Sequence, residues 1–181
     1  MKTFKGWRDA ETRQKEFMRS ILDVEVPMIS AVNGPVSVHP EFPAMSDIVL
    51  AAPGASFQDG HMVFGYVPGD GAHCIWPLLL GINRARYFFL MGQVLTAQKA
   101  LEIGVVSEIV KDDELMPRAR EIAEHIVRLP VSVTRGARIL FANQIRLTVE
   151  RDFAYGLALE GMATMIDPQV LLRDVRLAES H

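Results

Sequence analysis

Cysteine is almost absent from this chain of 181 residues, because Cys74 is the only one. A lone cysteine excludes an internal disulfide and favours the reducing cytoplasm as the compartment. The same residue is a candidate nucleophile, but its neighbours Ile75 and Trp76 are apolar. We therefore expect Cys74 to be a small buried residue of the core.

Long apolar runs and an excess of basic residues are also missing. No run approaches the roughly 20 apolar residues that cross a bilayer. The formal net charge of -3 and the pI of about 5.9 provide no positive field for nucleic acid or anionic lipid. The chain is 49% hydrophobic and 23% charged, which is typical of a globular domain. We expect neither a membrane nor a nucleic acid as a partner.

Short strands and helices alternate over the first 112 residues, which predicts an α/β fold. Thr96 is a suitable N-cap and Gly104 a suitable C-cap for a helix over Ala97–Ile103. The other predicted helices cover residues 10–22, Gly71–Leu80 and Arg84–Met91. The predicted strands are Val26–Val32, Ile48–Ala52, Ser56–Phe57 and Val105–Val110, and His39–Pro43 is expected to be irregular.

From Asp112 onward the pattern is helical, with breaks at Pro130 and at Asp167-Pro168. The predicted helices carry more apolar positions than one amphipathic stripe requires. This excess indicates packing on another subunit, although a larger core explains it equally well. The three helices are predicted over Glu114–Arg128, Val131–Arg146 and Thr148–Ile166.

His61 and Asp70 stand nine residues apart in a segment rich in glycine, with a Pro68-Gly69 turn between them. A histidine moves protons near neutral pH when a carboxylate orients its ring. The turn residues allow the chain to fold back and bring the two side chains together. The alternatives are a solvated loop histidine and an Asp70 that only forms the turn or caps the following helix.

Several stretches resemble the crotonase (enoyl-CoA hydratase/isomerase) superfamily in their order and spacing. The resemblance implies a ββα spiral core, truncated at its N-terminal side, over residues 1–112, followed by a helical trimerisation region over 113–181. It also implies a homotrimer or hexamer. The stretches are Val26–Gly34, Ser46–Ala51, Gly65–Gly71 and Met91–Val110.

The departures from the superfamily pattern are informative about chemistry. The glycine-rich run that follows Asn-Gly in acyl-CoA hydratases is replaced by Pro35–Glu41. Glu41 falls at the first glutamate position of hydratases, His61 at the second, and Asp70 where a small residue is usual. These changes are similar to the oxocamphor hydrolase branch, which cleaves a C–C bond of a cyclic β-diketone in a retro-Claisen reaction. That resemblance implies catalytic roles for His39, His61, Asp70 and Glu160.

The retro-Claisen chemistry suggests a role for each of these residues. We expect His61 to be the base that polarises water, with Asp70 orienting its ring. His39 lies where the oxyanion glycines usually stand and would donate to the oxyanion. Glu160 follows Leu159 on an apolar helix, where a carboxylate is costly to bury without a purpose. The predicted substrate contacts are Glu41, Phe64, Trp76 and Tyr87. Glu41 could equally belong to the proline-rich bend, and Trp76 and Tyr87 to the core.

The predicted activity is thus hydrolysis of a cyclic diketone, with no cofactor and no metal. Two alternatives stand beside it: an enoyl-CoA hydratase/isomerase that acts on acyl-CoA thioesters, and a non-catalytic, oligomerising remnant of the fold. The loss of the glycine run and of one glutamate argues against hydration of an acyl-CoA.

Overall fold

A computed structural model describes residues 4–166 of the chain. Its helices are α1 (Phe4–Leu22), α2 (Glu41–Ala44), α3 (His61–Phe64), α4 (Ala72–Leu80), α5 (Ile82–Leu90), α6 (Ala97–Glu102), α7 (Leu115–Val127) and α8 (Val131–Ile166). Its strands are β1 (Ile29–Val32), β2 (Pro35–Val36), β3 (Ile48–Ala51), β4 (Ser56–Phe57), β5 (Leu95–Thr96) and β6 (Glu108–Ile109).

The strands form two small sheets of three strands each. In the first sheet β3 lies between β1 and β6, and all three strands run parallel. In the second sheet β4 pairs parallel with β2 and antiparallel with β5. The strand β3 is buried along most of its length, which explains its continuous apolar sequence. The loop that follows β2 carries His39, and the loop that follows β4 carries Asp59.

A hydrophobic cluster connects the long C-terminal helix to the rest of the fold. Phe153 and Leu157 of α8 pack against Met18 of α1 and against Cys74 and Ile75 of α4. A second cluster, centred on Phe57, Trp76 and Phe88, fills the space between the two sheets and helices α4 to α6. The helix α8 therefore packs on both α1 and α4.

Several local predictions are confirmed by the structure. The fold is α/β, and Cys74 is fully buried. The hydroxyl of Thr96 accepts a hydrogen bond from the backbone N–H of Lys99, as an N-cap does. Gly104 follows that helix with a φ of 79°, which suits a glycine at this position.

Other local predictions are wrong. The two helices predicted over 131–146 and 148–166 are one continuous helix, because no proline or capping glycine interrupts the pattern at Leu147. The strands predicted over 26–32 and 105–110 are shorter, and a single helical turn follows Pro40 where irregular chain was expected. The division at residue 112 stays a prediction, and the break at Asp167-Pro168 lies outside the described residues. No helix within residues 4–166 has an apolar stretch long enough to cross a membrane.

Candidate active site

His39 and Glu41 stand at the start of α2, just beyond the second sheet. Nδ1 of His39 lies 2.9 Å from Oε1 of Glu41, and the imidazole ring stacks on Phe42 with a centroid separation of 5.0 Å. Glu41 is fully buried, and its carboxylate contacts the imidazole on the protein side of the ring. The backbone of His39 has a φ of 52°, a left-handed conformation that is strained for a residue other than glycine. Two side-chain contacts thus hold His39 in an unfavourable backbone conformation.

His61 opens α3, and carboxyl groups contact both of its ring nitrogens. Nδ1 lies 3.0 Å from Oδ1 and 3.1 Å from Oδ2 of Asp59, and the backbone N–H of His61 donates to the same carboxylate. Nε2 lies 3.1 Å from Oδ1 of Asp70. That distance is typical of an ion pair, but Oδ1 accepts no well-directed hydrogen bond from the described residues. Asp59 therefore orients the ring, and Asp70 faces its opposite edge.

Asp70 lies between two helices because glycines flank it. Gly69 packs so closely on the backbone of α8 that an added Cβ would overlap the carbonyl group of Gly156. Gly71 has a φ of 133° and would place a Cβ 2.6 Å from the Met18 methyl group on α1. Oδ2 of Asp70 also lies 3.6 Å from Nδ1 of His39. The short loop thus brings Asp70 between the two histidines.

Glu160 reaches the same cluster from α8, far away in sequence. Its side chain is buried, and Oε2 accepts no hydrogen bond from any described residue. Single ligand atoms of Glu160, His61 and Asp70 all lie within 4.8 Å of one another. The close approach of α8 to Gly69 is what carries Glu160 to this position.

Burial and the neighbouring charges shift the pKa values of the cluster in different directions. Burial lowers the pKa of His61, but the contacts with Asp59 and Asp70 outweigh it and raise the pKa to about 10. Burial opposes ionisation of Asp70, yet the contact with His61 holds the pKa of this carboxyl below its ordinary value. At neutral pH the pair is therefore an imidazolium and a carboxylate.

The remaining groups have raised pKa values. Burial raises the pKa of Glu160 to about 7, and the charge of Asp70 adds to the rise. Burial also raises the pKa of Glu41, against the opposing contact with His39. The hydrogen bond to Glu41 raises the pKa of His39, although burial opposes it. With a pKa of about 7, Glu160 can accept or release a proton near neutral pH.

Two cavities open beside the cluster, and His39 borders both. The larger has a volume of about 370 Å³ and is lined by His39, Asp70, Phe42 and several residues of α1. The smaller, of about 110 Å³, lies between His39 and His61 and is bordered by Phe64 and Tyr66. A cavity of several hundred Å³ with a few convergent polar groups is typical of small-molecule sites.

The same side chains are close enough to ligate a cation. One set is His39, Glu41 and Asp70, and the other is His61, Asp70 and Glu160. Imidazole and carboxylate together form a donor set that divalent transition metals accept. The contacts of His39 with Glu41 and of His61 with Asp59 and Asp70 explain the convergence without an ion.

The structure brings most of the predicted site residues together. His39, His61, Asp70, Glu160 and Glu41 form one cluster, and Phe64 borders its smaller cavity. Two residues predicted to contact substrate lie elsewhere. Trp76 is fully buried against Phe88 in the core, and Tyr87 is exposed on α5, away from the described cavities. The presence of an aromatic residue in the sequence does not show whether its side chain faces the core, a cavity or the solvent.

Asp59 belongs to the site but was not predicted from the sequence. It is almost completely buried and contacts the ring and backbone of His61. The sequence Asp59-Gly60-His61 follows a short strand. An aspartate in such a turn commonly accepts a hydrogen bond from the backbone N–H two residues later, and this pattern could have indicated the contact.

The family model for enoyl-CoA hydratase/isomerase matches residues 7–164. The chain belongs to this family. Its crotonase-like α/β fold agrees with that assignment and with the fold predicted from the resemblance.

Curated relatives of this family include a probable peroxisomal enoyl-CoA hydratase of Arabidopsis thaliana, 33% identical over 71% of this chain and 52% of the relative. A short-chain-enoyl-CoA hydratase of Clostridium acetobutylicum is 35% identical over 74% of this chain and 51% of the relative. The chain thus spans about half the length of the curated relatives it matches.

Solved structures of the family are also similar. A β-diketone hydrolase of the cyanobacterium Anabaena sp. PCC 7120, bound to (S)-3-oxocyclohexyl acetic acid, is 40% identical with a TM-score of 0.87, over 91% of this chain and 66% of that one. An enoyl-CoA hydratase/isomerase of Mycobacterium paratuberculosis is 26% identical with a TM-score of 0.81, over 94% of this chain and 66% of that one.

Proposed function

We propose that this enoyl-CoA hydratase/isomerase family chain belongs to a hydrolase that cleaves a C–C bond of a cyclic β-diketone. The observation that carries the proposal is the position of His61, held between Asp59 and Asp70 with Glu160 beside it. The similarity to the cyanobacterial β-diketone hydrolase supports the same activity. Because the leaving group of this reaction is an enolate carbanion, the reaction benefits from several polar groups that stabilise the negative charge.

The protonation states suggest how the proton of the water is taken up. The sequence predicted His61 as the base, but a pKa of about 10 leaves only roughly one ring in a thousand neutral at pH 7. Glu160 has a pKa of about 7 and an oxygen without a hydrogen-bond donor among the described residues, so it is the better acceptor. We therefore propose that Glu160 accepts the proton, while the His61 imidazolium stabilises the negative oxygen.

Hydrolysis in this site proceeds through a tetrahedral intermediate. The oxygen of water bonds to one carbonyl carbon as its proton passes to Glu160. The tetrahedral oxyanion collapses to a carboxylic acid, and the bond between the former carbonyl carbon and its neighbour breaks. The leaving enolate is stabilised by His39, and it takes the proton back from Glu160 to become a ketone. One diketone and one water thus yield one keto acid.

The test is turnover of bicyclic and monocyclic β-diketones by the whole chain, with the keto acid measured by mass spectrometry. We expect turnover by the unchanged protein and a loss of about 100-fold or more in kcat for His61→Ala. His125→Ala, on the distant helix α7, is the matched control and should retain activity. Full activity of His61→Ala would contradict the assignment of the site.

An enoyl-CoA hydratase is the second candidate, because the curated relatives carry that name and Glu41 stands at a hydratase glutamate position. Hydration of crotonyl-CoA in the same assay separates the two activities. Strong turnover of crotonyl-CoA without cleavage of any diketone would favour the hydratase. If neither substrate reacts and denaturant unfolding is poorly cooperative, the chain is a non-catalytic remnant.

We also propose a homotrimer or hexamer in the reducing cytoplasm. The helix α8 exposes a set of large apolar side chains, which supports association with further subunits. They are Val131, Leu140, Phe141, Tyr155, Met162 and Met165. Light scattering coupled to size-exclusion chromatography measures the assembly, and a monomer at all concentrations would contradict it.

A further inference from the structure

The reaction proposed above, on which this inference rests, creates a negative charge in the site. The substrate is neutral, but the keto acid carries a carboxylate. Asp70 is ionised in this cluster, and Glu41 and Glu160 are close to it. Asp70 repels a new carboxylate and the His61 imidazolium attracts it, so a second cation on the wall of the cavity would hold the product away from the cluster.

The wall of the larger cavity carries such a cation in addition to His39 and Asp70. Arg13 and Gln14, on α1, both border it. Arg13 is exposed and forms no ion pair with any side chain that the structure describes, whereas its neighbour Lys15 pairs with Glu11. Oε1 of Gln14 is buried and accepts no hydrogen bond within residues 4–166. Since a 180° rotation of the amide exchanges Oε1 and Nε2, Gln14 can present a donor there.

An aromatic wall connects the two ends of this cavity. His39 stacks on Phe42 at 5.0 Å, and Phe42 meets Phe17 edge-on at 4.9 Å. Arg13 precedes Phe17 by about one helical turn, which places their Cβ atoms roughly 5–6 Å apart on the same face. Two aromatic side chains therefore stand between His39 and Arg13 in the lining of the cavity.

We propose that Arg13, assisted by Gln14, forms a carboxylate-binding subsite for the keto acid product. The guanidinium binds a carboxylate through two parallel hydrogen bonds, and Gln14 donates a third. The ring of the product lies against Phe17 and Phe42, and its ketone faces His39. The subsite selects cyclic keto acids over neutral cyclic ketones of the same size.

The experiment is isothermal titration of the whole chain with 3-oxocyclohexyl acetic acid and, in parallel, with neutral 3-methylcyclohexanone. We expect Arg13→Gln to weaken binding of the keto acid about five- to tenfold at low ionic strength, an effect reduced by salt because Arg13 is exposed. Arg13→Lys should recover part of the affinity. Arg19→Gln, an exposed arginine on α1 beside a different cavity, is the matched control and should bind like the unchanged protein.

The possible results separate this subsite from the proposed function. Equal affinity of Arg13→Gln and the unchanged protein, or equal weakening by Arg19→Gln, would overturn the subsite. If Arg13→Gln weakens binding of coenzyme A but not of the keto acid, Arg13 recognises phosphate and the proposal is wrong. If the keto acid binds through Arg13 but no diketone is cleaved, the proposed reaction fails while the carboxylate subsite stands.

Discussion

Nε2 of His61 lies 3.1 Å from Oδ1 of Asp70, although the two residues belong to different ends of a glycine-rich loop. The contact joins an imidazolium to a carboxylate beside a cavity. Glu160 lies close to both, so three titratable side chains surround one small space.

Asp59→Asn should lower kcat about 10- to 100-fold with a smaller effect on KM. The carboxylate accepts hydrogen bonds from Nδ1 and the backbone N–H of His61, and asparagine keeps the shape but loses the charge. The pKa of His61, followed by NMR, should fall from its raised value. Asp112→Asn, in an exposed turn, is the control. An unchanged His61 pKa in Asp59→Asn would contradict the role of Asp59.

Glu160→Gln should stabilise the protein above pH 7. The folded pKa of about 7 lies above the ordinary value of 4.5, so the stability that Glu160 contributes is complete below pH 4.5 and is lost as the pH rises through 7. Glutamine stays neutral, and we expect its advantage to grow by roughly 1–3 kcal/mol between pH 5 and pH 8. Urea unfolding at the two pH values measures this difference.

The control for this prediction is Glu150→Gln, at an exposed position of the same helix. Its free energy of unfolding should differ little from that of the unchanged protein at either pH. If Glu160→Gln changed the free energy of unfolding equally at pH 5 and pH 8, the pKa of Glu160 would not be raised in the folded protein. In the proposed mechanism, Glu160→Gln also loses diketone hydrolysis, because the amide cannot accept the proton.

Gly156→Ala should destabilise the protein by about 2 kcal/mol or more, because the added methyl group overlaps the His73 ring and the carbonyl of Gly69. Gly136→Ala, in the same helix but with open space around it, should instead stabilise by about 0.5–1 kcal/mol. Thermal unfolding compares the two variants directly. Similar stability of both would mean that α8 does not pack on the Gly69 loop as described.

His39→Gly should be more stable than His39→Ala by about 1 kcal/mol. The backbone φ of 52° costs alanine as much as histidine, whereas glycine adopts it freely. Both variants remove the imidazole, so they lose the same contacts with Glu41 and Phe42 and should lose activity to the same extent. Chemical denaturation measures the difference. A more stable alanine variant would exclude the left-handed conformation.

Much of the local structure could be predicted from the sequence. The Thr96 cap and the meeting of His61 with Asp70 depend on residues close together in the chain, where turn and capping chemistry act directly. The resemblance to the family supplied the fold and named His39 and Glu160. Asp59 was equally local, but an Asp-Gly-His sequence is too common in loops to distinguish a ring-orienting carboxylate from a turn residue.

The sequence by itself determined the α/β pattern, the glycines of the loop around Asp70 and the types of group available for chemistry. Only the tertiary structure decided that Glu160 joins His61, because a close contact between Gly69 and Gly156 brings α8 onto the loop. It also decided that Trp76 lies in the core and Tyr87 at the surface. The physical reason is that burial depends on partners distant in sequence, and burial together with neighbouring charges sets the pKa values.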